Sequence, residues 1–569
     1  MSFPVFFDAS GRRQIWLKRL TLLLLGLLAL GCAAFATTVV KVPAPSPLPI
    51  AYERMTPLPF RTQVSRIKHK VLNFIGARPV MTATRASRPL TVAFYTSWSD
   101  NSAQALARHI NQIDWVAPTL FTLGHDGQLL ASDDGPLRRV IGGNLHHPLV
   151  LPVVQNIRNG AWDGVGAGAL LHDSKRRAAL IGQISRALDR SGDNGVIYDF
   201  ENLSPAAMTD LVKLVAETRA VFAHQHRLVS VTMPIDDPHW PARDLARAAD
   251  RLILMGYDEH WQGGVPGPIA SKAWFIRQLD LTLAGVDRSR IIVALGNYAY
   301  DWHDGRADAL TVEEAWLAAR DSGAKPVFDR QSGNLGFSYA ENGTRHDIWF
   351  LDAATAWNQM QYLSRLGLPS IALWRLGSED PGFWDTLSAW RQGRGRPVLD
   401  HISHDSTVDV EGQGEILRVA AVPRSGTRTV SYRGRGPGEI TAEDYTQLPT
   451  PYVVQRTGAR DRLVSLTFDD GPDPVWTPRI LSVLERYHVP ATFFVIGENG
   501  VQNGGLLKRI VADGDEIGNH SYTHPNMAEE ANLGIALELN ATQRLVEAWT
   551  GRSTRLFRAP YFGDAEPTT

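Results

Sequence analysis

Between Pro89 and Gln392 one pattern recurs: a short apolar run, then a stretch of helical character. The runs are Leu90 to Tyr95, Trp115 to Thr122, Leu149 to Gln155, Gly195 to Phe200, Leu228 to Met233, Arg251 to Met255, Ile291 to Ala294 and Ile371 to Trp374. They are nearly continuous in apolar residues rather than alternating, as expected of strands covered on both faces. Strands of this kind with helical connections predict an α/β fold, a (β/α)8 barrel of parallel strands. In such a barrel the reactive groups stand at the carboxyl ends of the strands.

Two of those ends carry acids. Gly195-Val196-Ile197-Tyr198-Asp199-Phe200-Glu201 sets Asp199 and Glu201 two apart, and residues i and i+2 of a strand share a face. Two close carboxylates push their pKa values apart, which lets Glu201 hold a proton near neutral pH. Met255-Gly256-Tyr257-Asp258 ends a later strand with a phenol and a third carboxylate, and Trp374 ends the last. Asp-x-Glu alone is equally a solvated strand end, since charged residues are mostly exposed. It is the recurrence at several strand ends that points to a site.

This region resembles glycoside hydrolase family 18, most closely its spore-cortex and cell-wall branch. The family's signature on the fourth strand is Asp-Gly-x-Asp-x-Asp-x-Glu. Here Asn194, Gly195, Ile197, Asp199 and Glu201 stand in that register, so the last two acids match and the earlier ones do not. The resemblance implies Glu201 as general acid on the glycosidic oxygen. Asp199 would orient the substrate's own N-acetyl group, which acts as nucleophile. Tyr257 and Asp258 would hold that acetamido group, and Trp374 would floor the sugar subsite. Trp349-Phe350-Leu351-Asp352 also fits the family. Trp98, Trp261 and Trp302 are candidates to line a sugar cleft, or equally ordinary packing.

A second set of chemical groups lies nearer the carboxyl end. Val464-Ser465-Leu466-Thr467-Phe468 reads as a buried strand, ended by Asp469, Asp470 and Gly471-Pro472, which calls for a turn. Neighbouring residues at a strand end point to different sides, so one acid can bind a metal while the other faces the attacking water. His520-Ser521-Tyr522-Thr523-His524 follows, with imidazoles that would share a face if the segment turns helically. Arg558-Ala559-Pro560-Tyr561 comes last. Asp-Asp-Gly alone is an ordinary solvated turn, and a lone His pair is more often surface. One Asp and two His can hold a divalent metal with open positions, as a catalytic metal needs.

From Asp461 onward the chain resembles the polysaccharide deacetylase family, carbohydrate esterase family 4, which includes the nodulation-type chitooligosaccharide deacetylases. Thr467 to Gly471, His520 to His524 and Arg558 to Tyr561 match its first three motifs in order. The resemblance implies Asp469 as catalytic base, with Asp470, His520 and His524 as ligands of zinc, or of cobalt or a similar divalent ion. Arg558 would orient Asp469, and the Tyr561 backbone N–H would donate to the oxyanion. The family's later motifs, a tryptophan region and a Leu-x-His carrying the general acid, have no counterpart before Thr569. The expectation is an incomplete distorted (β/α)7 barrel in a carboxyl-terminally truncated chain, covering about half of a family member.

The rest bounds these modules. Formal net charge is −1 over 569 residues, which implies several domains and no nucleic-acid partner. A single cysteine rules out an intrachain disulfide. Leu20 to Val40 is free of charge and follows Arg12, Arg13, Lys18 and Arg19. That pattern predicts a transmembrane signal-anchor with residues 1–19 cytoplasmic and the bulk of the chain extracytoplasmic. Ala34-Phe35-Ala36 as a cleavage site and Ala29-Leu30-Gly31-Cys32 as a lipoprotein site remain open alternatives. A Pro-rich linker fills 41–88, the family 18-like barrel 89–392, a small β subdomain or linker without chemistry of its own 393–460, and the deacetylase segment 461–569.

Together these readings predict a membrane-anchored protein that processes N-acetylhexosamine polysaccharide of chitin, poly-N-acetylglucosamine or peptidoglycan type. It would work with a glycosyltransferase, fused downstream or separate. The alternative is a non-catalytic glycan-binding or scaffold component of an exopolysaccharide synthesis machine.

Overall fold

The computed structural model describes residues 89–562 apart from 125, 394 and 404–407. The expected anchor at 20–40 and the linker at 41–88 lie outside the described residues. Among the described residues no helix is long and apolar enough to cross a membrane. The chain divides into two compact units, one holding the residues up to Asp409 and Val419–Val453, the other Val410–Arg418 and the residues from Val454.

The first unit is built on parallel strands. In chain order these are β1 (Thr91–Tyr95), β2 (Trp115–Pro118), β3 (Val153–Gln155), β4 (Gly195–Asp199), β5 (Leu228–Pro234), β6 (Arg251–Met255) and β7 (Ile291–Gly296). Between β7 and the last barrel strand an antiparallel insert intervenes: β8 (Ala299–His303), β9 (Arg306–Leu310), β10 (Leu335–Glu341) and β11 (Thr344–Phe350). Then β12 (Ile371–Trp374) pairs with both β7 and β1. Leu149–Val150 pairs with β2, and β3, two residues further on, pairs with β4. The pairings therefore run round a ring of parallel segments, at the positions expected from the apolar runs.

Burial explains why those runs are continuous. Every residue of β1, β4 and β7 is buried, because side chains of one parity fill the ring and those of the other meet the helices. Helix α1 (Pro205–Ala223) shows how the outer layer is specified. Ser204 accepts from the Ala207 N–H, Pro205 opens the first turn, and Met208, Leu211, Leu214, Val215 and Phe222 face inward. On the insert, α2 (Val312–Ser322) starts with a capping box of Thr311 and Glu314 and ends on Gly323 at φ 70°.

The small β subdomain contains the antiparallel pair β13 (Gly426–Tyr432) and β14 (Ile440–Gln447). Arg428 of β13 is fully buried with Asp352, Asp380 and Glu443, its Nη1 lying 2.6 Å from Asp380. Asp352 also caps helix α3 (Ala353–Leu366). The pair is thus tied to the ring by one buried ion cluster. A buried guanidinium needs its carboxylates, since an unpaired charge there is costly.

The second unit holds three parallel strands, β15 (Leu466–Gly471), β16 (Ala491–Val495) and β17 (Glu516–Asn519). Asn519 makes a parallel bridge to Phe557. Two helices pack with them, α4 (Trp476–Tyr487) and α5 (Asn532–Thr550), placing Leu481, Leu484 and Val546 in the core with Phe493 and Ile517. One expectation is corrected. Val464 and Leu466 are not in a buried strand: β15 is half-buried to exposed and Val464 is 90% exposed. Among the described residues β15 pairs only with β16, so one of its sides lacks a neighbouring strand.

Candidate functional sites

In the barrel unit, the acids converge at the carboxyl ends of β4 and β6. Asp199 ends β4 and is buried. Its Oδ1 accepts from Thr232 Oγ1 at 2.6 Å and its Oδ2 from Gln155 Nε2 at 2.8 Å. Thr232 comes from β5 and Gln155 from β3, so neighbouring strands clamp the carboxyl group on both oxygens. Its pKa is raised, with burial the main cause.

Glu201 lies just beyond the strand. Asn156 holds its backbone from both sides, accepting from its N–H and donating to its carbonyl, each at 2.9 Å. Burial, then the negative charges of Asp199, Asp258 and Asp236, push its carboxyl up to about 8. That is the protonation state a general acid requires at neutral pH.

Asp258 follows β6 in a left-handed conformation, φ 68°. Its Oδ1 accepts from Tyr298 Oη at 2.5 Å and Tyr300 Oη at 3.2 Å. Burial pushes it up to about 6 despite those donors. Tyr257 is buried, stacked beside Trp374 with ring centres 6.4 Å apart. Gly296 makes room for this aromatic wall: a Cβ there would meet the Tyr298 ring at 2.7 Å and the Tyr257 Cβ at 3.1 Å. The structure therefore brings Asp199, Glu201, Tyr257, Asp258 and Trp374 together. Trp98 and Trp261 are exposed, but Trp302 is buried in the core and does not line an open cleft. The reason is strand parity, which places Trp302 beside Tyr300 in a packed row.

In the second unit, β15 bulges between Phe468 and Gly471, with Asp470 at φ 67°. The bulge aims the two acids apart. Asp469 Oδ1 accepts from Arg558 Nη1 at 2.7 Å, and the same nitrogen donates to Thr467 Oγ1 at 2.9 Å. Arg558 also lies over the Phe494 ring at 4.2 Å. Asp470 Oδ1 instead stands 3.4 Å from His520 Nε2 and 3.1 Å from His524 Nε2.

The two histidines do not sit on a helix, as the spacing suggests. They occupy a loop in which Ser521 has φ 64° and His524 φ 62°. Backbone polar groups here find partners on α5 rather than within a helical turn. Glu538 accepts from the N–H groups of Tyr522 and Thr523 and from the Thr523 hydroxyl, each at 2.7 Å. Thr542 donates to the Ser521 carbonyl at 2.7 Å. Asn519 accepts from the Ser521 N–H at 2.9 Å. Glu538, Thr542 and Asn519 escape the sequence reading because their role depends on packing.

The donor set fits a divalent metal. One carboxylate oxygen and two imidazole nitrogens lie within 4.8 Å of one another. His520 is fixed in the right tautomer, since its Nδ1 donates to the Arg558 carbonyl at 2.8 Å and leaves the Nε2 lone pair toward Asp470. Tyr561 stands at the rim, 68% exposed, its ring 4.7 Å from that of His524.

Residues 456–568 match the family model described as polysaccharide deacetylase. A chitooligosaccharide deacetylase of Sinorhizobium fredii is 42% identical over 116 residues, 20% of this chain and 54% of that protein. The chain spans 54% and 55% of the length of two deacetylase relatives and as little as 22% of another. An uncharacterized glycosylase of Bacillus subtilis is 22% identical over 312 residues, 52% of this chain and 89% of that protein. The solved structure of a chitinase from Chromobacterium violaceum is similar over 53% of this chain and 99% of its own, with 23% identity and a TM-score of 0.49. By the family match and the motif geometry, the carboxyl-terminal segment of this chain is a polysaccharide deacetylase domain.

Proposed function

We propose that this protein removes acetyl groups from N-acetylglucosamine-containing polysaccharide with its carboxyl-terminal domain and engages the same class of polymer with its barrel. One observation carries the first half. Asp470, His520 and His524 converge, while the adjacent Asp469 is turned away onto Arg558. This separates a ligand set from a base.

A divalent ion such as zinc or cobalt, held by Asp470, His520 and His524, would supply Lewis-acid polarisation of the acetamido carbonyl. Asp469 takes a proton from the attacking water. Arg558 keeps the Asp469 carboxylate oriented. The Tyr561 N–H donates to the oxygen on which negative charge develops. Asp469 then returns that proton to the departing nitrogen as the C–N bond breaks, giving acetate and a free amine.

In the barrel, Glu201 gives its proton to the glycosidic oxygen. Asp199, fixed by Thr232 and Gln155, orients the substrate's acetamido group for its attack on the neighbouring carbon. Asp258, Tyr257 and Trp374 form the surrounding wall. Ile197, fully buried where the family 18 signature has an acid, favours a second reading: the barrel grips the glycan without cleaving it. A membrane anchor at 20–40, an extracytoplasmic location and a glycosyltransferase partner belong to the same proposal.

The test is acetate release from N-acetylglucosamine oligomers by the metal-free protein with zinc or cobalt restored. Release that depends on the metal and is lost in Asp470→Ala supports the deacetylase. Absence of release with either metal rejects it. Chain cleavage that is lost in Glu201→Gln supports hydrolysis by the barrel, whereas retained binding without cleavage in the parent supports the gripping role.

A further inference from the structure

The insert sheet carries a cluster that neither proposed activity uses. Asp301 and His303 lie two apart on β8 and so share a face. The antiparallel register pairs Asp301 with Ile348 and Trp302 with Asp347, which sets His303 opposite His346 on β11. The two imidazoles stack with centres 4.8 Å apart. Tyr300 and Trp302, of the other parity, lie on the reverse face, where Tyr300 bonds Asp258.

Asp301 is 7% exposed. Its Oδ2 is 2.7 Å from His346 Nδ1. Its Oδ1 is buried and has no hydrogen-bond partner. Asp308, across from Asp301 on β9, holds His303 Nε2 at 2.8 Å. Two ion pairs account for Asp301 Oδ2 and for the His303 ring but leave Asp301 Oδ1 bare. A buried polar atom without a partner is costly, more so when charged, and so calls for an explanation.

A cation supplies it. The ligand atoms of Asp301, His303 and His346 lie within 4.8 Å of one another. Around a tetrahedral ion with bonds of about 2.0–2.2 Å they would stand about 3.5 Å apart, a contraction that side-chain torsions can make. We propose that Asp301, His303 and His346 form a second metal site, for a divalent transition cation of the zinc type, with Asp308 as the carboxylate that steadies the His303 ring.

Two imidazoles and one carboxylate select zinc, cobalt, nickel or copper over magnesium or calcium. The cation would take the place of the hydrogen bond between His346 Nδ1 and Asp301 Oδ2. Because β8 carries Tyr300 and Trp302 on one face and the cluster on the other, the ion would also stiffen the strand that presents Tyr300 to Asp258.

The experiment uses the untagged full chain with His520→Ala and His524→Ala, which removes the imidazoles of the deacetylase site. Titration with cobalt is expected to give one equivalent bound per chain with visible absorption, and added zinc is expected to raise the thermal midpoint. Magnesium should do neither. Adding His303→Gln and His346→Gln should remove both effects. No cobalt binding in the first variant, or binding that survives the added substitutions, overturns the proposal. X-ray absorption at the cobalt edge of the first variant keeps the test independent of how the second folds: two imidazoles in the shell support the site, and fewer overturn it.

Discussion

Arg558 serves both halves of the deacetylase site at once. Its carbonyl accepts from His520 Nδ1 at 2.8 Å, and its guanidinium holds Asp469 at 2.7 Å. The first contact is made by backbone and the second by side chain, so substitution separates them.

Arg558→Ala should leave the metal affinity within a few-fold of the parent, because the carbonyl remains. Acetate release should fall about 100-fold or more, the scale of a misplaced general base. Parallel measurement of kcat and metal affinity checks this. Equal losses in both would place Arg558 in the fold rather than in orientation of the base.

Glu538 gathers three donors of the loop that carries His524. Glu538→Ala frees those donors and lets the loop relax from its two left-handed residues. Metal affinity should drop about 10–100-fold, as when the outer partners of a metal ligand are removed. Competition against a chelator of known affinity reads the change, and an unaltered affinity would rule out the bracing role.

Glu201 is raised to about 8, from an ordinary value of 4.5. If the barrel cleaves glycans, its rate should fall as pH passes above about 8, where the acid loses its proton. Asp199→Asn removes a like charge and should move that limb to lower pH. The folded state also binds the extra proton, so this group's contribution to stability is present below pH 4.5 and lost between 4.5 and 8. Glu201→Gln should therefore gain thermal midpoint relative to the parent as pH rises through that window. A midpoint difference that stays flat with pH would show that Glu201 titrates normally.

Arg428 is enclosed with Asp352, Asp380 and Glu443. Arg428→Ala strands buried carboxylates and should destabilise the barrel unit by about 3–5 kcal/mol. The urea midpoint of that unit's transition measures it. A loss under about 1 kcal/mol would mean the cluster relaxes or takes up protons without cost.

The barrel strands are legible in the sequence because a strand covered on both faces must be largely apolar, as Thr91–Tyr95 and Ile291–Gly296 are. Asp199, Glu201, Asp258, Asp470 and His520 are legible because acids and imidazoles at the ends of such runs have few structural reasons to be there. The loop geometry of His520 and His524 is not legible. Spacing of four suggests a helix, and it is the bonds to Glu538, Thr542 and Asn519 that hold the loop with its two left-handed residues instead. Trp302 misleads for a related reason, since a large aromatic reads alike whether it lines a cleft or fills a core.

The sequence alone determined the barrel strands and the reactive residue types, because hydrophobic period and motif order are local properties of the chain. Tertiary structure alone decided which groups meet. Thr232 and Gln155 come to Asp199 from neighbouring strands, and Tyr298 and Tyr300 come to Asp258 from the insert. His346 is set against Asp301 by strand register, 45 residues away in the chain. Such contacts depend on register and on which backbone groups find partners, and those are settled only when the sheets close.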